Sequence, residues 1–291
     1  MREMMKKPDN LKNIISQIQT LPTLSKVVKR VIELVENPET SPACLARAIS
    51  TDAAMVSRVL KAANSAYYGL PKQVSTITQA TVVLGFNTIK NLVLATSVFS
   101  IFKGSGVSRF NREEFWLHSI GCATISKIIC RQIHIGLPEE AFIAGLFHDI
   151  GKIVEDQFLH DNFDKILTCI DKTHVSFKEA EQTIQGIDHT EIGFWLCDKW
   201  NFPLHLQEAV AVHHNPRKAT INKELVSLVH LANSIAIEES LGNGGDPFMP
   251  AIDPIVEQIL GITQPEIYEL KEEIFDEYDK AIGFLELMVS K

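Results

Sequence analysis

Strand signals are scarce in this 291-residue chain, and so are the marks of export, of a disulfide framework and of a nucleic-acid partner. Valine and isoleucine are plentiful, but they recur at helical rather than alternating spacing, which argues against a sheet. The cysteines number five (Cys44, Cys122, Cys130, Cys169 and Cys197), with no C-x-x-C pair among them. That odd, unpaired set reads as neither a disulfide scaffold nor a structural zinc site and points to a reducing cytoplasm. The start, MREMMKKPDN, is polar with no apolar stretch behind it, so no secretory signal is expected. Basic residues are outnumbered, 28 against 36 acidic, and the net charge of −8 disfavours free DNA or RNA as a partner. One apolar run, TVVLGFNTIKNLVLATSVFSIF at 81–102, is long enough to span a bilayer. Asn87, Lys90 and Asn91 fall in its middle, where polar groups are costly in lipid, so a buried helix pair and no membrane partner are expected.

What the chain does contain is helical periodicity. Leu11, Ile14, Ile15 and Ile18 share one face, and Val27, Val28, Val31, Ile32, Leu34 and Val35 make another stripe. Ser41-Pro42 is an N-cap followed by proline at the first helical position, and Asn111 precedes the acidic pair Glu113 and Glu114. The expected fold is all-α, with helices near 10–19, 24–36, 42–49, 52–65, 75–84, 86–101, 112–132, 139–157, 160–172, 176–184, 188–199, 203–214, 222–239, 252–260 and 264–288. A chain of this length sits at the limit of one core, so two subdomains are expected. The break KGSGVSR at 103–109 divides an N-terminal helical bundle, 1–105, from a C-terminal half, 106–291, packed against it. LGNGGDP at 241–247 reads as a flexible loop. The last segment, QPEIYELKEEIFDEYDKAIGFLELM, is an amphipathic acidic helix that either packs on the core or meets a partner.

Residues 45–64, LARAISTDAAMVSRVLKAAN, carry a helix-turn-helix spacing that would expose Ser57, Arg58 and Lys61 to DNA. Two packed helices joined by a tight turn account for the same residues, and the acidity of the chain favours that account.

All ten histidines lie in the C-terminal half. Glu114 and His118 are spaced i, i+4, so both can point to one spot. His148 and Asp149 are adjacent within GLFHDIGK, His189 opens the segment HTEIGFWLCDKW, and His213-His214 close LHLQEAVAVHH. Imidazole and carboxylate together are ligands for zinc, iron or manganese, and helices of a bundle can aim them inward. His134, His160, His174 and His205 read as ordinary caps or half-buried polar residues, and so does His230, which stands i, i+3 from Asn233.

GLFHDIGK resembles the His-Asp motif of the HD superfamily of metal-dependent phosphohydrolases. The chain over roughly 14–240 is identified as a member of the HDOD family of bacterial signalling proteins. The motifs that carry the likeness are LPTLSKVVKRVIELVENP, AISTDAAMVSRVLKAANSAYYG, ITQATVVLGFNTIKNLVLA, FWLHSIGCA, AFIAGLFHDIGK, DHTEIGFWLCDKWNFP and AVHHNP. The resemblance implies an all-helical HD-like second half and a ligand set of Glu114, His118, His148, Asp149, His189, His213 and His214. Lys152 matches the lysine that follows His-Asp. Where the superfamily's distal aspartate belongs, in VHLANSIA, this chain has Asn233, and the GYP segment of the cyclic-dinucleotide phosphodiesterases is replaced by NPRKATINKEL. An amide is a weaker ligand than a carboxylate, so hydrolysis is compromised more than metal binding. The resemblance therefore implies a cytoplasmic signalling module, with protein partners in trans, whose pocket holds iron, manganese or zinc or stays empty. The alternative is a metal-dependent phosphohydrolase acting on a nucleotide, a cyclic dinucleotide or another small phosphorylated ligand. In it Asp149 would help hold the metal and Lys152 would steady phosphate. DNA binding through 45–64 is the lesser alternative.

Overall fold

The computed structural model describes residues 21–102 and 109–289. Within them the chain is helical, with no strand. The first part runs α1 (Lys26–Glu36), α2 (Pro42–Ile49), α3 (Ala53–Ala63), a 3₁₀ turn (Ala66–Tyr68), α4 (Ile77–Leu84) and α5 (Phe86–Ile101). The second runs α6 (Arg112–Gln132), α7 (Pro138–Phe147), α8 (Ile150–Phe158), α9 (His160–Thr173), α10 (Phe177–Gln185), α11 (His189–Lys199) and α12 (Leu204–Val212). It ends with α13 (Lys223–Glu238), α14 (Ile255–Leu260), α15 (Gln264–Glu269) and α16 (Lys271–Val289).

Most starts follow from local chemistry. Ser25, Ser41, Asp52, Thr76, Asn111, Ser176, Asp188 and Asn222 each cap a helix by accepting a backbone N–H with the side chain. The expected helix at 10–19 lies outside the described residues, as does most of the 103–109 break. The apolar run at 81–102 is divided by Gly85 (φ 87°) into two helices, a conformation that suits glycine. Its polar residues are accommodated within the protein: the Asn91 amide donates to the Glu139 carbonyl at 2.7 Å. No described helix is long and apolar enough to cross a membrane.

Three expected boundaries are corrected. The helix at 139–157 is broken, because His148 and Asp149 form the turn between α7 and α8. The helix at 203–214 stops at Val212 and leaves His213 and His214 just past its end. The final helix is two, α15 and α16, meeting at Leu270.

A continuous hydrophobic core crosses both parts of the chain, from Val28, Val59 and Ile89 to Phe115, Phe163 and Val226. The Trp200 indole also donates to the Pro22 carbonyl at 2.9 Å. α16 lies against α6, α3 and the 3₁₀ turn, so the acidic C-terminal helix joins the core. Of the helix-turn-helix residues, Ser57 and Lys61 face solvent, Arg58 is half-buried, and Met55, Val59 and Ala62 turn into the core.

Two glycines set the spacing around His148. A Cβ on Gly145 would stand 2.7 Å from the Cys122 carbonyl, so only glycine allows α7 to lie this close to α6. A Cβ on Gly151 would stand 2.0 Å from the His189 carbonyl, so α8 and α11 touch through bare backbone. The segment at 241–247, expected to be flexible, is instead docked on the start of α6. Asn243 N–H donates to the Glu114 carbonyl at 2.9 Å, and Gly242 and Gly244 press against His118.

Candidate metal centre

Asp149 is the centre of the arrangement. It is buried, and its neighbours come from three places in the chain: beside it at 148 and 152, and from 189 and 213. Lys152, one turn further along α8, donates to Asp149 Oδ2 at 2.8 Å. His189 Nε2 lies 3.2 Å and His213 Nε2 3.4 Å from Asp149 Oδ1, and His148 Nε2 lies 3.3 Å from Oδ2. Asp149, His189, His213 and His214 form one group of facing ligand atoms, and His118, Cys122 and His148 form an adjoining one.

The rings are held in definite orientations. His148 Nδ1 pairs with the Gly145 carbonyl at 2.7 Å, His213 Nδ1 with the Val210 carbonyl at 3.0 Å, and His189 Nδ1 with Glu181 Oε2 at 2.8 Å. A neutral imidazole that donates from Nδ1 leaves Nε2 as an acceptor. The Nε2 lone pairs of His148 and His213 thus face the oxygens of a carboxylate, while His189 Nε2, also beside it, is paired with the His214 ring. His148 Nε2, His213 Nε2 and Asp149 Oδ1 have no hydrogen-bond partner although all are buried. Burial disfavours the charged ring at three histidines of the site: it pushes His213 down to about 4 and His118 down to about 3, and it lowers His189 as well. Asp149 is held well below the usual carboxylate range: burial would raise it, but the Lys152 ammonium hydrogen-bonded to it more than offsets that.

Acceptors facing acceptors in a dry site are unfavourable unless a cation lies among them. Nitrogen or oxygen ligands about 2.05 Å from one tetrahedral ion stand about 3.3 Å from each other, which is the spacing these atoms keep. The donor set, two or three imidazoles and a carboxylate, suits zinc, iron or manganese. The residues therefore fit a divalent ion.

Of the ligand set implied by the sequence, the structure brings together His118, His148, Asp149, His189, His213 and His214. His214 sits at the rim, half-buried, with Nε2 at 2.9 Å from His189 Nε2. Glu114 belongs to neither group; its backbone carbonyl anchors the 241–247 segment instead. Lys152 is fully buried and spends all three N–H donors: on Asp149, on Asp246 Oδ2 at 2.7 Å and on the Gly244 carbonyl at 3.0 Å. Its ammonium also lies 4.7 Å from the centre of the Phe177 ring. No N–H is left to steady a phosphate. Asn233 is buried on α13, with its Oδ1 4.0 Å from Cys122 Sγ.

Sequence reasoning missed Asp246, Cys122 and a second layer of buried carboxyls. Glu181 holds His189, and Glu155 lies against Glu181 and accepts from Gln185. Burial raises both acids, Glu155 to about 7, so the pair retains a proton where isolated glutamates would not. Glu181 had a usable signal, since it falls on the apolar face of a capped helix eight residues before His189. Asp246 had none, because the loop's path brings it to Lys152.

The HDOD domain matches residues 21–216, two thirds of the sequence. The chain belongs to the HDOD family. Among solved structures, an HDOD domain protein of Geobacter sulfurreducens superposes with a TM-score of 0.80 at 24% identity, over 94% of this chain and 96% of that one. A Shewanella amazonensis protein named as a candidate phosphohydrolase gives 0.76 at 23% identity, covering 94% and 97%. A Marinobacter aquaeolei protein named as a candidate signal transduction protein gives 0.77 at 20%, covering 96% of this chain and 65% of that one. At these identities the likeness shows the shared all-helical HDOD fold. A Treponema pallidum protein is 23% identical over 223 residues, 76% of this chain, and this HDOD chain spans 43% of its length.

Proposed function

We propose that this HDOD chain is a regulatory module of bacterial signal transduction that retains its HD-type pocket as a buried metal site and does not use it for hydrolysis. The observation that carries the metal is the ring of acceptors around Asp149: three Nε2 atoms facing one carboxylate, with His148 Nε2, His213 Nε2 and Asp149 Oδ1 unpartnered. A bound ion would supply the positive charge these acceptors face and would tie the α7–α8 turn, the start of α11 and the end of α12 together. Three features speak against turnover. The ligands are buried, Lys152 has no donor left, and Asn233 brings no charge. The outputs of such a module are protein partners acting in trans, which would read a shape set by the metal.

Elemental analysis of cytoplasmic protein purified without a metal-affinity column tests the reading, together with thermal unfolding before and after chelation. We expect a bound transition metal and a clear fall in Tm on its removal. Metal-free protein whose Tm does not respond to zinc, iron or manganese would overturn the metal. Phosphodiesterase turnover with manganese or iron that disappears in His148→Ala would overturn the non-catalytic role.

A further inference from the structure

The second group of ligand atoms contains a residue that neither the HD motif nor the sequence reading assigned. Cys122 lies on α6 one turn after His118, fully buried, with Sγ 3.5 Å from His118 Nε2. His148 Nε2 faces the same space without a hydrogen-bond partner, and His118 Nδ1 also has none. A nitrogen and a sulfur bound to one tetrahedral zinc, at about 2.05 and 2.3 Å, stand about 3.5 Å apart. The observed pair already keeps that edge. Imidazole and amide ligands bring no negative charge, so within this group only Cys122 can supply an anion; burial pushes its thiol up, and a bound cation would be what draws the proton off.

Resting on the metal reading above, we propose that the ion taken by His148 Nε2 is a thiophilic divalent cation of the zinc type, held also by His118 and by the Cys122 thiolate. Sulfur there supplies the negative charge that Asn233 does not. Coordination exchanges the S–H bond for a sulfur–metal bond, and the proton leaves to solvent. A thiolate in the set shifts preference toward zinc and away from manganese, a hard ion suited to oxygen ligands. It also donates electron density to the metal, which lowers the metal's effective charge, would make a bound water less acidic and so accords with a site that does not hydrolyse.

Cobalt(II) substitution tests the assignment, because a cobalt–thiolate bond gives an intense near-ultraviolet charge-transfer band while cobalt held by nitrogen and oxygen alone gives only weak visible bands. In the wild-type chain we expect cobalt binding with the charge-transfer band. In Cys122→Ser we expect that band to vanish while visible bands from the remaining ligands persist. In the double variant Cys122→Ser/Asn233→Asp, zinc affinity should recover by about tenfold over Cys122→Ser, since the anion is returned on oxygen. Cobalt bound by the wild type without the charge-transfer band would overturn the thiolate ligand, leave the metal site standing and reduce the Cys122–His118 contact to an S–H···N hydrogen bond. No cobalt or zinc binding at all would overturn both. The wild-type spectrum decides the question even if a variant fails to fold.

Discussion

Lys152→Met isolates the electrostatics of the site. The wild-type ammonium is wholly buried, with donors on Asp149, Asp246 and the Gly244 carbonyl at 2.7–3.0 Å. Its charge is held on: burial opposes it, but Asp149 and Asp246 more than compensate and raise its pKa. Methionine has nearly the same length and keeps the contact with Phe177, so the change removes charge with little loss of volume. It leaves Asp149 buried beside acceptors, and breaking a buried ion pair from one side costs about 3–5 kcal/mol. For a chain of this size about 1 kcal/mol corresponds to roughly 2 °C, so the metal-free variant should melt about 6–10 °C below wild type. A divalent ion beside Asp149 would take over part of the ammonium's role, so the loss should be smaller in metal-loaded protein. Calorimetry or urea titration with and without chelator measures both quantities. A loss below about 1 kcal/mol in the metal-free state would refute the reasoning. An equal loss in both states would refute the claim that the metal and Lys152 serve the same carboxylate.

Other expectations follow from the same geometry. Glu155 titrates near 7 in the folded state, above its ordinary value, so its contribution is full at low pH and is lost as pH rises through that value. Glu155→Gln should therefore flatten the fall in stability between about pH 5 and 8 by about 2–3 kcal/mol, read from urea midpoints. Asn233→Asp should raise metal affinity by about tenfold, or about 1.4 kcal/mol, while lowering the stability of the metal-free protein by burying an unpaired carboxylate. Competition with a chelating dye and chelator-treated melts check the two arms. Gly151→Ala places a methyl against the His189 carbonyl and should cost more than about 4 kcal/mol, leaving little soluble, folded protein on expression.

Much of the fold was legible because helices announce themselves locally. Caps such as Ser41, Asn111 and Asp188 sit beside the helices they start, and α2, α5 and α6 begin and end where periodicity places them. The breaks were less legible. GLFHDIGK is apolar enough to continue as a helix, and the turn at His148-Asp149 is set by contacts with α6 and α11, through Gly145 and Gly151, which are distant in sequence. The candidate ligands were legible as residue types at suggestive positions. Their partners were not: Asp246 meets Lys152 across 94 residues, and Cys122 looked like one more buried cysteine until α6 turned it toward His148.

The docked 241–247 segment has a consequence for time rather than affinity. Gly244 lies on the His118 ring while its carbonyl and Asp246 are fastened to Lys152, so an ion that left past His118 would have to wait for this strap to lift. Exchange would then proceed at the rate of local opening, whatever the strength of the ligands. A chain that folded around one metal would go on carrying it after the surrounding supply had changed, a memory of the conditions of its synthesis. Release of isotopically labelled zinc should be slow in the wild type and faster in Asp246→Asn; equal rates would show that the strap does not set the clock.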